Sequence, residues 1–216
     1  MSIVDNYKKV KETIPEGVAL VLATKYATAD DIIELAKHDN IIAGENRAQS
    51  LLEKYDIVKS QTDNVKWHFI GHLQTNKVKQ IIDKVDLIQS IDSEKLLLEI
   101  DKEARAIGKV QKILLEINFF EEKNKTGMSV AELEKTLDIA KNLENITICG
   151  IMLMLPMVYD TNLLHKCKIF VVDFCKNKWH NSCIPIISMG MSGDYLDAIS
   201  IGSNMVRLGS VVFNIK

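Results

Sequence analysis

Lys25 follows the apolar run Val18-Ala19-Leu20-Val21-Leu22-Ala23-Thr24 and precedes the polar stretch Tyr26-Ala27-Thr28-Ala29-Asp30-Asp31. A run that is apolar throughout, rather than at alternate positions, reads as a strand buried on both faces. A lysine at the carboxyl end of such a strand is expected to meet little water. Desolvation favours the neutral amine, the nucleophile that attacks a carbonyl to make a Schiff base. The competing reading is structural: the side chain runs to the rim and pairs with a carboxylate.

A second group of residues suits an anion. Ser188-Met189-Gly190-Met191-Ser192-Gly193-Asp194 leads into a helix at Tyr195-Leu196-Asp197-Ala198-Ile199. Glycines admit close backbone approach, while serine hydroxyls and first-turn amides donate to phosphate oxygens. Gly209-Ser210 can add two more amides. The alternative is a plain helix start, with Ser192 as cap and Gly190 and Gly193 shaping the turn. Arg207 stands in the apolar context Met205-Val206-Arg207-Leu208. A buried arginine stays charged and needs acceptors. Asp92 or Glu116 could supply a structural partner, and otherwise Arg207 donates to a ring nitrogen or phosphate of a ligand.

Other chemistries find little support. His68 and His72 are not in the His-Glu-x-x-His pattern of zinc proteases, and no Gly-x-Ser-x-Gly elbow is present. His165, Cys167, Cys175, His180 and Cys183 lack the close Cys-x-x-Cys pairs of structural zinc motifs and read as packing residues. No metal site and no catalytic residue is assigned. The net charge of -2 over 216 residues gives no basic field for nucleic acid or anionic membrane. No apolar stretch approaches the roughly 20 residues that span a bilayer. No signal-peptide core opens the chain, so a cytoplasmic location with reduced cysteines is the expectation.

The elements that must position these residues alternate along the chain. Apolar runs at 18–24, 40–43, 66–70, 86–91, 111–117, 146–154, 184–188 and 205–208 read as strands. Between them lie amphipathic patterns, such as Ile32, Ile33, Leu35 and Ala36, or Val78, Ile81, Ile82 and Val85. Leu96, Leu97, Ile100, Ala104 and Ile107 make another, as do Leu133, Leu137, Ala140 and Leu143. A further helix at about 2–13 precedes the first strand. Eight strands with helices between them allow an open doubly wound sheet or a closed barrel. The strand count and the lack of a Gly-x-Gly-x-x-Gly fingerprint favour an α/β fold of one kind: a single (β/α)8 TIM-type barrel domain over 1–216, with an extra N-terminal helix. The polar residues named above then gather at the carboxyl ends of the strands, the functional face of that fold.

The motifs together resemble the pyridoxal 5'-phosphate homeostasis protein family (YggS/PROSC-like), related to the barrel domain of alanine racemase. The resemblance is carried by Gly44-Glu45-Asn46, by Trp67-His68-Phe69-Ile70-Gly71-His72-Leu73-Gln74 with Asn76-Lys77, and by Ile117-Asn118. Lys125-Thr126-Gly127, Gly150-Ile151-Met152, Ser188 to Ser192 and Val206-Arg207-Leu208-Gly209-Ser210 complete it. It implies that Lys25 is the Schiff-base lysine for pyridoxal phosphate. It implies that Ser188, Gly190, Ser192, Gly209 and Ser210 surround the phosphate, that Arg207 faces the pyridine nitrogen, and that Asn46 and His68 line the pocket.

The sequence departs from the family in two places. Thr24-Lys25-Tyr26-Ala27-Thr28 replaces the usual Ser-Lys-Thr-Lys-Pro, so a second lysine and a proline are missing. Phe213-Asn214-Ile215-Lys216 stands where members continue with Phe-Gly and a basic tail.

The resemblance implies a protein of pyridoxal phosphate homeostasis that holds the cofactor as a lysine aldimine, without turnover, and can pass it to apoenzymes. It is expected to be a monomer, with a dimer as the alternative. An arginine against the ring nitrogen cannot accept its proton, which weakens carbanion stabilisation. A racemase-like enzyme is the second reading, with Tyr26, His68 or another pocket residue as the further acid/base group. A phosphate-binding barrel unrelated to pyridoxal phosphate is the third.

Overall fold

The computed structural model describes residues 2–122, 125–156, 158–179 and 183–213. Helix α1, Ile3–Glu12, starts at a capping box in which Ser2 and Asp5 satisfy each other's backbone N–H groups. Strands follow at Ala19–Ala23 (β1), Ile41–Glu45 (β2), Val65–Phe69 (β3), Leu87–Ile91 (β4), Gln111–Ile117 (β5), Ile146–Leu153 (β6), Ile186–Ser188 (β7) and Met205–Leu208 (β8). Between them run helices Ala29–Ala36 (α2), Ala48–Lys59 (α3), Val78–Ile81 (α4), Glu94–Ala106 (α5), Val130–Ala140 (α6), Thr161–Asp173 (α7) and Tyr195–Ser200 (α8). Ser210–Phe213 (α9) follows β8. Each strand pairs in parallel with the next, and β8 closes on β1 through Ala19↔Met205 to Leu22↔Leu208. The fold is the (β/α)8 barrel expected from the alternating pattern.

Two apolar layers follow from the period-2 alternation of the strands. Val21, Leu87, Leu114, Met152 and Met205 fill the barrel interior, with Ala19, Ile42, Ile70 and Ile186 packed against them. The other strand face meets the helices through Leu22, Phe69, Ile88, Ile113, Leu115 and Ile151, opposite Ile32, Leu35, Leu51, Leu97 and Ile100. No helix among the described residues is long and apolar enough to cross a membrane.

The departures from the sequence expectation have local causes. β2 runs two residues further than expected, so Gly44 and Glu45 are strand residues paired with His68 and Phe69. β7 starts only at Ile186, after Pro185, which has no N–H for a ladder. The pattern at 78–85 yields one turn of α-helix behind a 3-10 turn at Thr75–Lys77.

Short β7 meets β8 at a single register pair, Ser188↔Met205. The Asn204 side chain stitches the gap. Its Oδ1 accepts from the Ile187 N–H at 2.8 Å and its Nδ2 donates to the Pro185 carbonyl at 2.9 Å. Asn204→Ala removes both bonds beneath the functional face. It should lower the unfolding free energy by about 1–3 kcal/mol, read by urea denaturation.

Candidate functional site

Lys25 stands at the corner of a four-residue turn that ends β1. The Ala27 N–H closes it on the Thr24 carbonyl at 2.9 Å. Thr28 then opens α2 with a second capping box, shared with Asp31. The positions where the family carries a lysine and a proline are therefore a buried alanine and a helix cap. The turn lifts Lys25 out of the barrel. Its side chain is exposed and its Nζ lies 4.9 Å from the centre of the Tyr26 ring. The expected loss of water around Lys25 does not occur, because the strand's burial ends at Thr24.

What holds that turn is a buried ion pair. Glu45 is wholly buried, and its Oε1 accepts from the Thr24 hydroxyl at 2.7 Å and from Lys54 Nζ at 2.8 Å. Lys54 also donates to the Thr24 carbonyl at 2.8 Å. One lysine of α3 thus ties the ends of β1 and β2 together immediately before Lys25.

Inside the barrel, Arg207 is buried and makes no ion pair among the described residues. Its Nη1 donates to Ser188 Oγ at 2.7 Å and its Nη2 to the Leu153 carbonyl at 3.0 Å. Neither Asp92 nor Glu116 is within salt-bridge distance; Asp92 pairs with His72 instead, at 2.8 Å. Burial pulls the Arg207 guanidinium down to about 10, with the nearby Glu116 and Asp194 carboxylates opposing, so it keeps its charge at neutral pH. Glu116 accepts from the Thr126 hydroxyl at 2.7 Å, and its carboxyl is raised above the ordinary range, chiefly by burial. Ser188 Oγ gives its only hydrogen to Gln89 Oε1 at 2.6 Å, and Gln89 Nε2 lies 2.9 Å from His68 Nδ1. Burial lowers the His68 imidazole to about 3.

The loops at the ends of β7 and β8 approach each other. Gly190 has φ +102°, and a Cβ there would lie 2.8 Å from the Ala198 methyl and 2.9 Å from the Tyr195 Cα. Only glycine fits this bend. Its carbonyl accepts from the Arg207 N–H at 2.9 Å. Gly209 packs against β1, where a Cβ would come 3.0 Å from the Ala23 carbonyl oxygen. The Gly209 N–H reaches Ser192 Oγ at 3.4 Å, joining the two loops. Among the described residues, no backbone acceptor meets the N–H groups of Ser192, Gly193, Ser210 or Val211. Helices α8 and α9 are too short to add much dipole, so the cradle offers individual N–H donors.

Ser188, Gly190, Ser192, Arg207, Gly209 and Ser210 are therefore contiguous, and Gly209 sits beside the end of β1, two residues before Lys25. Asn46 lies one strand further round, where Gly71 passes close over its backbone. It borders a cavity of about 360 Å³ with Arg47, His72, Gln74 and Lys77. A cavity of about 660 Å³ lies elsewhere, on the outer flank among α6, β6 and residues 173–179. His180 falls outside the described residues. Among those described, no group of three His, Cys, Asp or Glu could hold a metal ion. Lys54 and Gln89 had no role in the sequence reading. Lys54 lies in an ordinary amphipathic stretch, and Gln89 is one polar residue in a strand, so neither carried a motif.

The model of the alanine racemase N-terminal domain matches residues 2–216. A pyridoxal phosphate homeostasis protein from Synechocystis is 33% identical, over 96% of this chain and 95% of its own. This chain belongs to the pyridoxal phosphate homeostasis protein family. A relative of the same name from Aquifex aeolicus is 36% identical over 80% of this chain and 75% of its own. Among solved structures, PipY of Synechococcus elongatus with PLP bound superposes with a TM-score of 0.88 at 25% identity. The match covers 98% of this chain and all of PipY. Alanine racemase of Clostridium difficile shares the fold at a TM-score of 0.76 and 14% identity, over 98% of this chain and 56% of its own.

Two outcomes follow for this family member. Lys54→Met leaves the Glu45 carboxylate buried without its cation and should destabilise the protein by about 3–5 kcal/mol. Adding Glu45→Gln should recover part of that loss in the same denaturation assay. His68 remains neutral in the fold down to about 3, whereas the unfolded chain takes up a proton below 6.5. Stability should therefore fall as pH drops through that window, and His68→Gln should flatten this part of the pH–stability curve.

Proposed function

We propose that this chain binds pyridoxal phosphate at the barrel mouth, holds it covalently on Lys25, and serves to carry the cofactor rather than to turn over a substrate. The observation that carries the reading is one juxtaposition. A lysine on a braced turn, a donor-only guanidinium and two loops of unengaged N–H groups belong to the carboxyl ends of three neighbouring strands, β7, β8 and β1.

The donor set fits a phosphorylated pyridine aldehyde. When bound, pyridoxal phosphate supplies an aldehyde that condenses reversibly with a primary amine and a ring that withdraws electrons. Lys25 supplies the amine. Gly190, Ser192, Gly209 and Ser210 would hold the phosphate, largely through N–H donors. Arg207 would face the ring nitrogen. Ser188 belongs to this set through Arg207, since its hydroxyl hydrogen is already given to Gln89. Asn46 and His68 would line the pocket nearby. A partner that only donates leaves the ring nitrogen an acceptor, which supports carriage over catalysis. The names of the relatives point the same way. The same reading has residues 1–216 act as one barrel, in the cytoplasm and as a monomer, delivering cofactor to apoenzymes that require it.

Trapping tests the reading. The protein is incubated with pyridoxal phosphate, reduced with borohydride and digested. The label should map to Lys25 and vanish in Lys25→Ala. Arg207→Ala and Ser192→Ala should each weaken cofactor retention about tenfold, the loss of one charge-assisted or anion-directed hydrogen bond. A label on another lysine, or none, overturns the assignment. Conversion of L-alanine to D-alanine that depends on Lys25 overturns carriage without turnover.

A further inference from the structure

Four side chains from four strands form one hydrogen-bonded line across the barrel interior. Arg207 of β8 meets Ser188 of β7, Ser188 meets Gln89 of β4, and Gln89 meets His68 of β3. All four are buried. The direction of every bond in this line can be deduced from its two ends.

At one end a guanidinium has only hydrogens to give. Ser188 Oγ therefore accepts from Arg207 at 2.7 Å, and its single hydrogen goes to Gln89 Oε1 at 2.6 Å. At the other end, Gln89 Nε2 approaches the Met205 sulfur at 3.4 Å. A thioether has no hydrogen and can only accept. The amide edge facing Met205 and His68 must then be the NH₂ edge, and the edge facing Ser188 must be the oxygen. A flipped amide would set its oxygen against the sulfur and leave the Ser188 hydrogen without its acceptor. With an N–H pointing at it, His68 Nδ1 has to be the lone-pair nitrogen. The ring proton is left on Nε2, and no acceptor among the described residues takes it. His68 is next to last in β3, toward the mouth.

We propose that Gln89 is a positioning residue. By linking Ser188 to His68, it holds Arg207 in place from below and makes His68 a neutral ring that offers one donor, Nε2–H, toward the bound cofactor. The part that concerns the cofactor rests on the function proposed above; the proton position on His68 does not. The consequence for the site is chemical. Its two interior polar ends, the guanidinium and the imidazole, both present donors, so the pocket selects acceptor atoms on the ring it receives. A protonated pyridine nitrogen would find no acceptor at either end.

The test reads the proton on His68 in the protein without cofactor, by long-range proton–nitrogen NMR correlation of the ring. Wild type should show the Nε2–H tautomer. In Gln89→Glu, a near isostere whose carboxylate cannot donate, the ring should acquire a proton on Nδ1. Gln89→Glu should also weaken pyridoxal phosphate retention about tenfold, as expected when a bond to a charged donor is misdirected. Met205→Leu, which removes only the sulfur acceptor, should keep the Nε2–H tautomer, because Arg207 and Ser188 still orient the amide. The Nδ1–H tautomer in wild type overturns the proposal whether or not any variant folds. An unchanged ring in a folded Gln89→Glu protein also overturns it, as does unchanged cofactor retention there. If wild type has the Nε2–H tautomer but takes up no pyridoxal phosphate, the functional reading falls while the assigned bond directions stand.

Discussion

Arg207 places a charge inside a closed barrel, and much of the interior is arranged around that fact. A guanidinium cannot be neutralised at physiological pH, and its N–H groups need acceptors. The barrel meets this need without a direct carboxylate. The Leu153 carbonyl takes one bond and Ser188 the other, and Glu116 and Asp194 act only at longer range. A cation held by neutral acceptors keeps donor capacity for a ligand, which a tight ion pair would consume. Ser188 then needs an acceptor of its own, and the line through Gln89 to His68 follows.

Closure of the sheet makes this possible. Parallel strands of a barrel all end on one face, and their inward positions form layers drawn from several strands. The lower layers here are apolar, with Val21, Leu87, Leu114, Met152 and Met205. Polar groups gather toward the carboxyl ends. A second polar cluster, Thr24, Glu45 and Lys54, lies on the helix side of the wall and fixes the turn that carries Lys25. The lysine is exposed as a side chain but anchored at its backbone.

Within the pyridoxal phosphate homeostasis family, this chain differs beside the lysine. Ala27 and Thr28 replace a lysine and a proline, and the local fold absorbs the change. Ala27 packs into the core and Thr28 caps α2 with Asp31. One cation fewer than in the family pattern stands beside Lys25.

The strand and helix order and the closed barrel were legible in the sequence, as was the placement of Lys25, Gly190, Ser192, Arg207 and Gly209 at or near the carboxyl ends of β1, β7 and β8. Apolar period and glycine or serine placement are local properties, and each strand announces its own faces. The exposure of Lys25, the neutral partners of Arg207, the role of Lys54 and the line through Gln89 were decided only by tertiary structure. Each depends on which residues from separate elements are brought together in space. That is set by register and shear around the closed sheet, and by the turn that lifts the chain from its wall, which no single stretch of sequence encodes.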